Sequence, residues 1–493
     1  MLKKIRTILA AVVFVLITLL FLDFTGTLHH WLSWLAKIQF LPAVMALNVV
    51  VIVALLALTL IFGRIYCSVI CPLGVLQDVL ARFHRKKNKY SYSREVRWLR
   101  YPVLVVFVIA LAVGVGSFFQ LLAPYSSYGR IATMIFQPLW MLGNNVLAAI
   151  AERADSYAFY SVDVWMKSLP VFIIALVTLV VLIVLAWRGG RTYCNTICPV
   201  GTTLSFFARF SWLKVRFDAD KCKNCSMCSK NCKAACIDYK THTVDYSRCV
   251  VCGNCIDKCK FGALKYSGKR SEVRGERNVQ ADSHDASRRS FLVASAMVAG
   301  AAMAQKKEKL MDGGLAELED KVQPERQTPL TPPGSLSFEN FSTRCTGCQL
   351  CVSECPNDVL RPSGDLMHLM LPEMSYERGH CRPECTRCSE VCPAGAIKPI
   401  DKDEKSSIQI GHAVWIKKNC VVLTDEVECG NCARHCPSGA IEMVPMDPDN
   451  EESPMIPAIN EAACIGCGAC EYVCPSRPFS AIYVEGHEVH KSI

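Results

Sequence analysis

The sequence lacks the fingerprints of the common nucleotide-dependent and hydrolytic enzymes. It contains no P-loop, no G-x-G-x-x-G motif and no hydrolase triad pattern. It also lacks C-x-x-C-H, the attachment motif of covalent c-type haem. Charged residues make up only 20% of the 493 residues, while hydrophobic residues make up 51%. These absences exclude the usual soluble catalytic classes and direct attention to the apolar segments and to cysteine.

Cysteine is the residue type in excess, with 29 copies, and most of them stand in C-x-x-C-x-x-C runs. A disulfide between neighbours three residues apart would be strained. The chain is also far larger than the small secreted scaffolds that depend on disulfides. The runs therefore predict metal clusters rather than disulfides.

Apolar stretches predict an α-helical membrane domain with four transmembrane helices. The four stretches lie at residues 5–22, 43–62, 102–122 and 169–187. A fifth stretch, 131–151, contains glutamine, proline and two asparagines, and it is expected to be interfacial or re-entrant. The chain is therefore predicted to be a multi-pass protein of the cytoplasmic (inner) membrane.

The distribution of charge predicts the orientation in that membrane. Basic residues cluster at 3–6, before the first span, and nine more lie in the loop 63–101, so both segments should face the cytoplasm. Residues 1–305 carry 36 basic and 15 acidic residues, whereas residues 306–493 carry 18 and 29. Because residues 1–305 also contain the long apolar stretches, their excess of basic residues indicates a membrane protein rather than a protein that binds nucleic acid.

One motif occurs twice. Residues 63–72 (GRIYCSVICP) end the second span, and residues 190–199 (GRTYCNTICP) end the fourth. Both copies continue to an Ala-Arg-Phe, at 81–83 and 208–210. Two copies of one hairpin unit should face the same side of the membrane, which holds with four spans and fails with five.

Each copy contributes a Cys-x-x-x-Cys-Pro pair, with Cys67 and Cys71 in the first and Cys194 and Cys198 in the second. A spacing of four places both thiols of a pair on one face of a helix. Pseudo-twofold symmetry would then bring all four thiols together at the cytoplasmic face. Our hypothesis is a shared metal or redox site, and the alternative is that reduced thiols pack the interface between the copies.

The segment 219–266 carries two complete cysteine runs. A [4Fe–4S] cluster takes three thiolates from one run and, in two-cluster ferredoxins, a fourth from the other run. Swapped capping predicts one cluster on Cys222, Cys225, Cys228 and Cys259 and another on Cys249, Cys252, Cys255 and Cys232. The remaining Cys236 is predicted to be a buried structural thiol or an alternative ligand to Cys232.

The segment 336–485 carries four more runs, each ending in Cys-Pro. They are Cys345, Cys348, Cys351, Cys355; Cys381, Cys385, Cys388, Cys392; Cys420, Cys429, Cys432, Cys436; and Cys464, Cys467, Cys470, Cys474. Either neighbouring runs share clusters, or the first pairs with the fourth and the second with the third. Structural zinc would fit the number of ligands but not this register. The chain is thus predicted to hold about six [4Fe–4S] clusters on 24 cysteines.

Composition then divides the chain into four parts. They are a membrane domain at 1–215, a cytoplasmic two-cluster module at 216–268, a linker at 269–335, and a four-cluster module at 336–493. Both modules are expected to be α+β and ferredoxin-like.

The linker contains Arg288 and Arg289 in a Ser-Arg-Arg-Ser-Phe-Leu setting, within a signal-like segment at 286–304. This resembles a twin-arginine export signal, and the alternative is an ordinary basic stretch before a small helix. Export of folded cargo would place the acidic four-cluster module on the periplasmic side. Cleavage after Ala304, at a small-x-small site, would release residues 305–493.

These features together resemble a known family. Residues 1–270 resemble NapH-type membrane ferredoxins of periplasmic nitrate reductase systems in their four spans, their two Cys-x-x-x-Cys-Pro motifs and their two-cluster tail. Residues 286–485 resemble NapG/MauM-type ferredoxins, including the stretched third run after Cys420. The chain looks like a fusion of the two, and it departs from them at Lys233 and Lys260, where proline is usual.

The resemblance implies that the chain oxidises menaquinol or ubiquinol and passes electrons to a periplasmic reductase, such as nitrate reductase, or to a cytochrome. The implied partners are membrane lipid, the quinone pool and the twin-arginine translocase. Related membrane polyferredoxins imply the alternatives of a maturation factor or a redox sensor for another metalloenzyme. Asp23, His29, His30 and Arg130 lie near the predicted outer face, where they could accept quinol protons or act as interface anchors.

Overall fold

A computed structural model describes residues 2–83, 90–114, 116–156, 158–268, 319–450 and 453–493. The N-terminal part of the chain is helical. Its helices are α1 (Leu2–Leu22), α2 (His29–Lys37), α3 (Phe40–Met45), α4 (Val49–Phe62), α5 (Tyr66–Val69), α6 (Pro72–Phe83), α7 (Arg97–Val113), α8 (Gly116–Leu122), α9 (Pro124–Ile131), a π-helical turn (Ala132–Phe136), α10 (Gln137–Glu152), α11 (Leu169–Gly189), α12 (Thr192–Thr196) and α13 (Pro199–Ala208).

Among the described residues, three helices are long and apolar enough to cross a bilayer: α1, the continuous run Pro124–Glu152, and α11. The helix α4 is apolar but shorter. Four spans were expected. The span expected at 102–122 is divided between α7 and α8. The helix α7 ends at Val113, and the next residue, Gly114, lies in the left-handed region at φ 81° and ψ 18°. A glycine in this conformation ends a helix at little cost, and α8 begins again at Gly116.

The fifth apolar stretch, at 131–151, lies within the run Pro124–Glu152. All eight residues of α9 are buried, whereas α10 buries only Gln137 and Ala148. A π-helical turn separates them, and such turns are frequent at functional sites. The expectation that this stretch is interfacial or re-entrant stays a prediction.

The first cysteine-rich module follows directly. It contains β1 (Lys214–Phe217), α14 (Met227–Lys230), β2 (Ile237–Asp238), β3 (Thr243–Val244), α15 (Asn254–Lys258) and β4 (Leu264–Ser267). Its strands form two antiparallel pairs, β1 with β4 and β2 with β3. The pairing of β1 begins at Lys214, opposite Ser267, close to the expected boundary at 216, which stays a prediction.

The second module consists of short helices and three antiparallel strand pairs, β5 with β6, β7 with β10 and β8 with β9. Its elements are α16 (Phe338–Arg344), α17 (Leu350–Ser353), β5 (Leu360–Pro362), β6 (Pro372–Met374), α18 (Arg387–Val391), α19 (Lys402–Ser407), β7 (Ile408–Trp415), a 3-10 turn (Lys417–Asn419), α20 (Val421–Thr424), α21 (Asn431–Arg434), β8 (Ile441–Pro445), β9 (Met455–Ile459), α22 (Ala469–Val473) and β10 (Ile482–Ser492). The pair β7–β10 joins the middle of the module to its C-terminus.

The chain before the second module packs against it. Arg326 forms a buried ion pair with Glu471, with Nη2 2.7 and 2.8 Å from the two carboxylate oxygens. Lys321 donates from Nζ to the carbonyl oxygen of Glu471. Residues at the C-terminal end of the linker expected at 269–335 therefore contact the second module, and the boundary at 336 stays a prediction.

Candidate redox site: the cysteine groups

The two copies of the repeated motif contact each other through reciprocal hydrogen bonds. Arg64 in the first copy donates to the carbonyl oxygen of Cys194 over 3.0 Å. Its counterpart Arg191 donates to the carbonyl oxygen of Cys67. A Cβ at Gly74 would collide with that Cys67 carbonyl, so only glycine allows this approach. The pseudo-twofold arrangement expected from the sequence is present.

The four cysteines of the repeats are buried; they are Cys67, Cys71, Cys194 and Cys198. The Sγ atom of Cys198 accepts a hydrogen bond from the Gly201 amide over 3.3 Å, and Gln77 Nε2 lies 3.3 Å from Cys194 Sγ. Burial raises the pKa of Cys198, and the nearby Cys194 and Cys71 raise it further. Burial thus favours the neutral thiol of Cys198, whereas iron would bind its thiolate. The structure brings the four together, and their role as ligands stays a prediction.

Positive charge surrounds this group. Asp78 on α6 pairs with Arg191 at 2.9 Å, Arg6 at 3.1 Å and Lys233 at 3.3 Å. Burial opposes the charge on Asp78, but Arg191 and Lys233 hold its pKa well below the usual range. Three cations thus share one carboxylate, and Arg64 is buried nearby. The excess of positive charge suits a set of thiolates.

The first module gathers its cysteines into two groups. One cavity is lined by Cys222, Cys225, Cys228 and Cys259, the set that swapped capping predicts. In the other group, the charges of Cys252, Cys232 and Cys249 raise the pKa of Cys255 beyond the effect of burial, so these four also lie together. Cys236 is buried with its Sγ atom 3.5 Å from that of Cys232. Both interpretations of Cys236 therefore remain open.

The second module gathers its cysteines into four groups. Three of them line cavities: Cys345, Cys348, Cys351 and Cys392; Cys355, Cys381, Cys385 and Cys388; and Cys420, Cys429, Cys432 and Cys474. The fourth contains Cys436, Cys464, Cys467 and Cys470. Burial is the main cause that raises the pKa of Cys470, and the charges of the other three cysteines raise it further, so the four lie together. Neighbouring runs therefore share groups, which selects one of the two pairings left open by the spacing.

Left-handed backbone turns shape the regular runs. In each, the residues before and after the second cysteine have φ between 51° and 76°. These pairs are Asn224 and Ser226, Val251 and Gly253, Gly347 and Gln349, and Gly466 and Gly468. Such turns aim successive backbone N–H groups into one concavity, which suits an anionic group. Val251 and Gln349 adopt this costly conformation without being glycine, as is usual at functional sites.

The first run of the second module is held by the membrane domain. Gln120 on α8 donates to the carbonyl oxygen of Cys345 over 3.0 Å, and Gln137 donates to that of Ser353 over 3.1 Å. A single buried core contains Cys252 from the first module, Cys71 and Cys198 from the repeats, and Cys348 from the second module. Tyr66 and Tyr125 belong to the same core.

The polar residues considered for quinol protons separate in the structure. Asp23 and His29 are buried together beside Glu354 of the second module. His30 is exposed, and Arg130 is buried with its guanidinium bonded to the carbonyl oxygens of Gln120 and Leu121. Glu354 escaped the sequence analysis because its only signal was its place before Cys355. The twin-arginine segment at 286–304, including Ala304, lies outside the described residues.

Models of iron–sulfur families match several of these segments. A model described as "4Fe-4S binding domain" matches residues 44–90 and 170–218, which contain the two Cys-x-x-x-Cys-Pro pairs. A second model with this description matches 242–265 and 341–361, and a "4Fe-4S dicluster domain" matches 427–477. These matches support iron–sulfur clusters as the cofactors of the cysteine groups.

Curated relatives are ferredoxin-type proteins. The chain is 30% identical to the methylamine utilization ferredoxin-type protein MauM of Paracoccus denitrificans over 171 residues, which cover 32% of this chain and 73% of that protein. It is 28% identical to the ferredoxin-type protein NapH of Escherichia coli, over 44% of this chain and 67% of NapH. It is 25% identical to the putative electron transport protein YccM of Escherichia coli, of which it covers only 55%. No solved structure matches the chain.

Proposed function

This chain belongs to the MauM family of ferredoxin-type iron–sulfur proteins, and we propose that it carries electrons from membrane quinol to an acceptor outside the cytoplasm. Its apolar helices and its NapH-like relatives indicate a membrane protein. The observation that carries the proposal is the single buried core that contains cysteines of both modules and of the repeats. Clusters supply one-electron acceptors, and this core would connect them without crossing solvent.

The contacts of α1 support opposite sides for the two modules. Near its start, Lys3 Nζ lies 2.7 Å from Asp257 of the first module. Just beyond its end, His29 lies 3.3 Å from Glu390 of the second module. A helix of 21 residues is about 30 Å long, the thickness of the hydrocarbon core of a bilayer. We infer a cytoplasmic first module and a periplasmic second module, delivered through the twin-arginine route.

The repeats would hold a further cluster between the modules. Their four thiols are buried together, Arg64 and Arg191 supply positive charge, and the amide of Gly201 already donates to Cys198 Sγ. Hydrogen bonds and nearby charge of this kind stabilise thiolate ligands and tune their potential. Electrons could then pass between the two modules.

A cavity beside the π-helical turn is the site that we propose for the quinol headgroup. Its wall combines apolar side chains with a few polar groups, as small-molecule sites do; it includes Met134, Met141, Phe172, Thr133, Gln137, Lys167 and Asp358. Lys167 Nζ donates to the carbonyl oxygen of Val352 over 3.0 Å, and Val352 directly follows Cys351 along the chain. Thr133 Oγ1 and Trp165 Nε1 are buried without hydrogen-bond partners among the described residues.

Oxidation of one quinol to quinone at this cavity would release two electrons and two protons. The electrons would pass singly to the cysteine group that contains Cys351, and the protons would leave to the outer water. Lys167 and Gln137 would orient the quinol hydroxyl groups. The acceptor beyond the second module would be a periplasmic reductase, such as nitrate reductase, or a cytochrome.

The test uses the full chain in lipid nanodiscs and follows the loss of cluster absorbance on mixing with a menaquinol analogue. We expect reduction at turnover rates in the unmodified chain, and reduction slower by about tenfold or more in Lys167→Gln, since a hydrogen bond to a charged group is lost. The matched control is Lys402→Gln, at an exposed lysine of α19. Reduction of both variants by dithionite checks that the clusters are present.

The outcomes separate the two claims. If quinol fails to reduce the unmodified chain while a cytoplasmic donor succeeds, quinol oxidation is wrong and the maturation role becomes the better account. Cys225, which is exposed on the first module, offers such a donor a point of contact. If quinol reduces the unmodified chain and Lys167→Gln equally fast, only the assignment of the cavity is wrong.

A further inference from the structure

Three potential metal ligands come together where the membrane domain meets the second module. Asp23 follows α1, His29 begins α2, and Glu354 follows α17. One ligand atom from each lies within 4.8 Å of the other two, and all three residues are buried. None of the three is a cysteine, although Glu354 lies within the first run of the second module, directly before Cys355.

The ligand atoms of Glu354 and His29 are unused by the rest of the described chain. Both carboxylate oxygens of Glu354 and Nδ1 of His29 are buried without a hydrogen-bond partner among the described residues. Nδ1 lies 3.9 Å from Glu354 Oε2, which is too long for a hydrogen bond. Glu354 is only 2% exposed. A buried carboxylate without partners is costly, so something absent from the protein chain should satisfy it.

The other side of the imidazole is already oriented. His29 Nε2 lies 3.3 Å from Glu390 Oε2 on α18. Histidines that bind metal through one ring nitrogen characteristically donate from the other to a carboxylate, which fixes the tautomer and the ring direction. With Nε2 turned to Glu390, Nδ1 is the ring nitrogen on the side of Glu354, 3.9 Å from its Oε2.

Asp23 is oriented as well. Its Oδ1 accepts hydrogen bonds from the amides of Thr25 at 3.1 Å and Gly26 at 2.9 Å, and its Oδ2 accepts one from Leu28 at 2.6 Å. Oδ1 also accepts from the Thr25 hydroxyl at 2.7 Å. The bonds hold the carboxylate in one orientation, and Oδ2, which accepts a single bond, keeps a lone pair for a cation.

We propose that Asp23, His29 and Glu354 bind a divalent transition-metal ion of the zinc type, which fastens the membrane domain to the second module. One imidazole nitrogen and two carboxylate oxygens form a ligand set that zinc accepts, with a fourth position open to water. Three carboxyl groups, those of Asp23, Glu354 and Glu390, lie around the imidazole, and a bound cation would balance them together with the guanidinium of Arg387 near Gly26. The inference rests on this geometry and not on quinol oxidation.

The experiment measures zinc rather than activity. The purified full chain in detergent is stripped with a mild chelator, equilibrated with zinc chloride and freed of loose metal, after which zinc and iron per chain are determined. Zinc-edge absorption fine structure then identifies the ligands, because zinc–sulfur distances are about 2.3 Å and zinc–nitrogen or zinc–oxygen distances about 2.0–2.2 Å. This distinction separates the proposed site from zinc bound at a cysteine group.

We expect one zinc per chain with nitrogen and oxygen ligands, and loss of at least about tenfold in zinc affinity on removal of a ligand. Glu354→Gln and His29→Ala should both lose it, whereas His30→Ala, at the exposed neighbouring histidine, should retain it. Unchanged iron content in each variant shows that the fold is intact. Absence of zinc from the unmodified chain, sulfur-only ligation, or full zinc in His29→Ala would each overturn the proposal.

Discussion

The backbone amide of Cys381 donates to the carbonyl oxygen of Cys467 over 2.9 Å. This bond joins the group that contains Cys355 and Cys381 to the group that contains Cys467 and Cys470. Because neighbouring runs share groups, the four cysteine groups of the second module follow one another in space as a single series. It starts at Cys348, against the membrane domain, and ends at the group that contains Cys429.

The last group in that series should deliver electrons to the acceptor. We predict that Cys429→Ser abolishes transfer from the reduced chain to its acceptor but leaves reduction by quinol in the remaining clusters. Iron content should fall by about four atoms per chain, the content of one [4Fe–4S] cluster. Stopped-flow reduction followed by mixing with an oxidised acceptor dye measures both steps. Full transfer to the acceptor in this variant would show that electrons leave from another group.

The sequence predicted the cysteine groups well because cluster ligation constrains the spacing of residues locally. The loop around Cys222, Cys225 and Cys228 needs only its own turns, and the capping by Cys259 follows from the symmetry of two runs. The pairing of the four later runs was not readable, because it depends on which strands meet, such as β7 with β10. The proximity of Glu354 to Asp23 could not be predicted either, because the two residues are more than 300 positions apart in the chain.

The spans were predicted less well, for a physical reason. Hydropathy records apolar composition but not the backbone conformation of single residues. Gly114 lies inside an apolar stretch, yet its left-handed conformation ends α7 and divides the span expected at 102–122. All residues of helix α9 are buried against other parts of the protein, and the moderate hydropathy of its sequence did not indicate this burial.

The cysteines of the repeats give a direct test of the intervening cluster. We predict that the double variant Cys67→Ser/Cys194→Ser loses the iron of one cluster and that electrons no longer pass between the two modules. The measurement is iron per chain together with reduction of the second-module clusters from a cytoplasmic-side donor. Ser68→Ala, at a buried residue between the two cysteines of the first pair, serves as a control and should keep all of the iron. Iron equal to that of the unmodified chain would mean that the four thiols only pack the interface.

The proximity of Cys232 and Cys236 allows their roles to be separated. With Cys232 as the ligand, Cys232→Ser should lose about four iron atoms per chain, whereas Cys236→Ser should lose none. Iron determination and low-temperature electron paramagnetic resonance of the reduced chain distinguish the variants. If Cys232→Ser keeps the cluster and only the double variant Cys232→Ser/Cys236→Ser loses it, Cys236 is a substitute ligand, 3.5 Å from Cys232 Sγ.

Asp78 should be essential for joining the first module to the membrane domain. In Asp78→Asn, the buried charges of Arg191, Arg6 and Lys233 lose their common carboxylate, and breaking a buried ion pair of this kind costs about 3–5 kcal/mol. Thermal unfolding in detergent should therefore begin at a lower temperature than in the unmodified chain. Asp220→Asn, at an exposed carboxylate, should leave it unchanged.

The difference between Asp78→Asn and the unmodified chain should also depend on pH in a definite direction. The cations hold the pKa of Asp78 below its usual range despite burial, so the unfolded chain binds a proton there more readily than the folded one. The stability that Asp78 contributes is then complete above the ordinary aspartate pKa of about 3.9 and is lost as the pH falls further. The two unfolding temperatures should stay apart between neutral pH and about pH 5 and converge only in more acidic buffer. A difference that disappears already near neutral pH would show that Asp78 is not the ionised partner of these three cations.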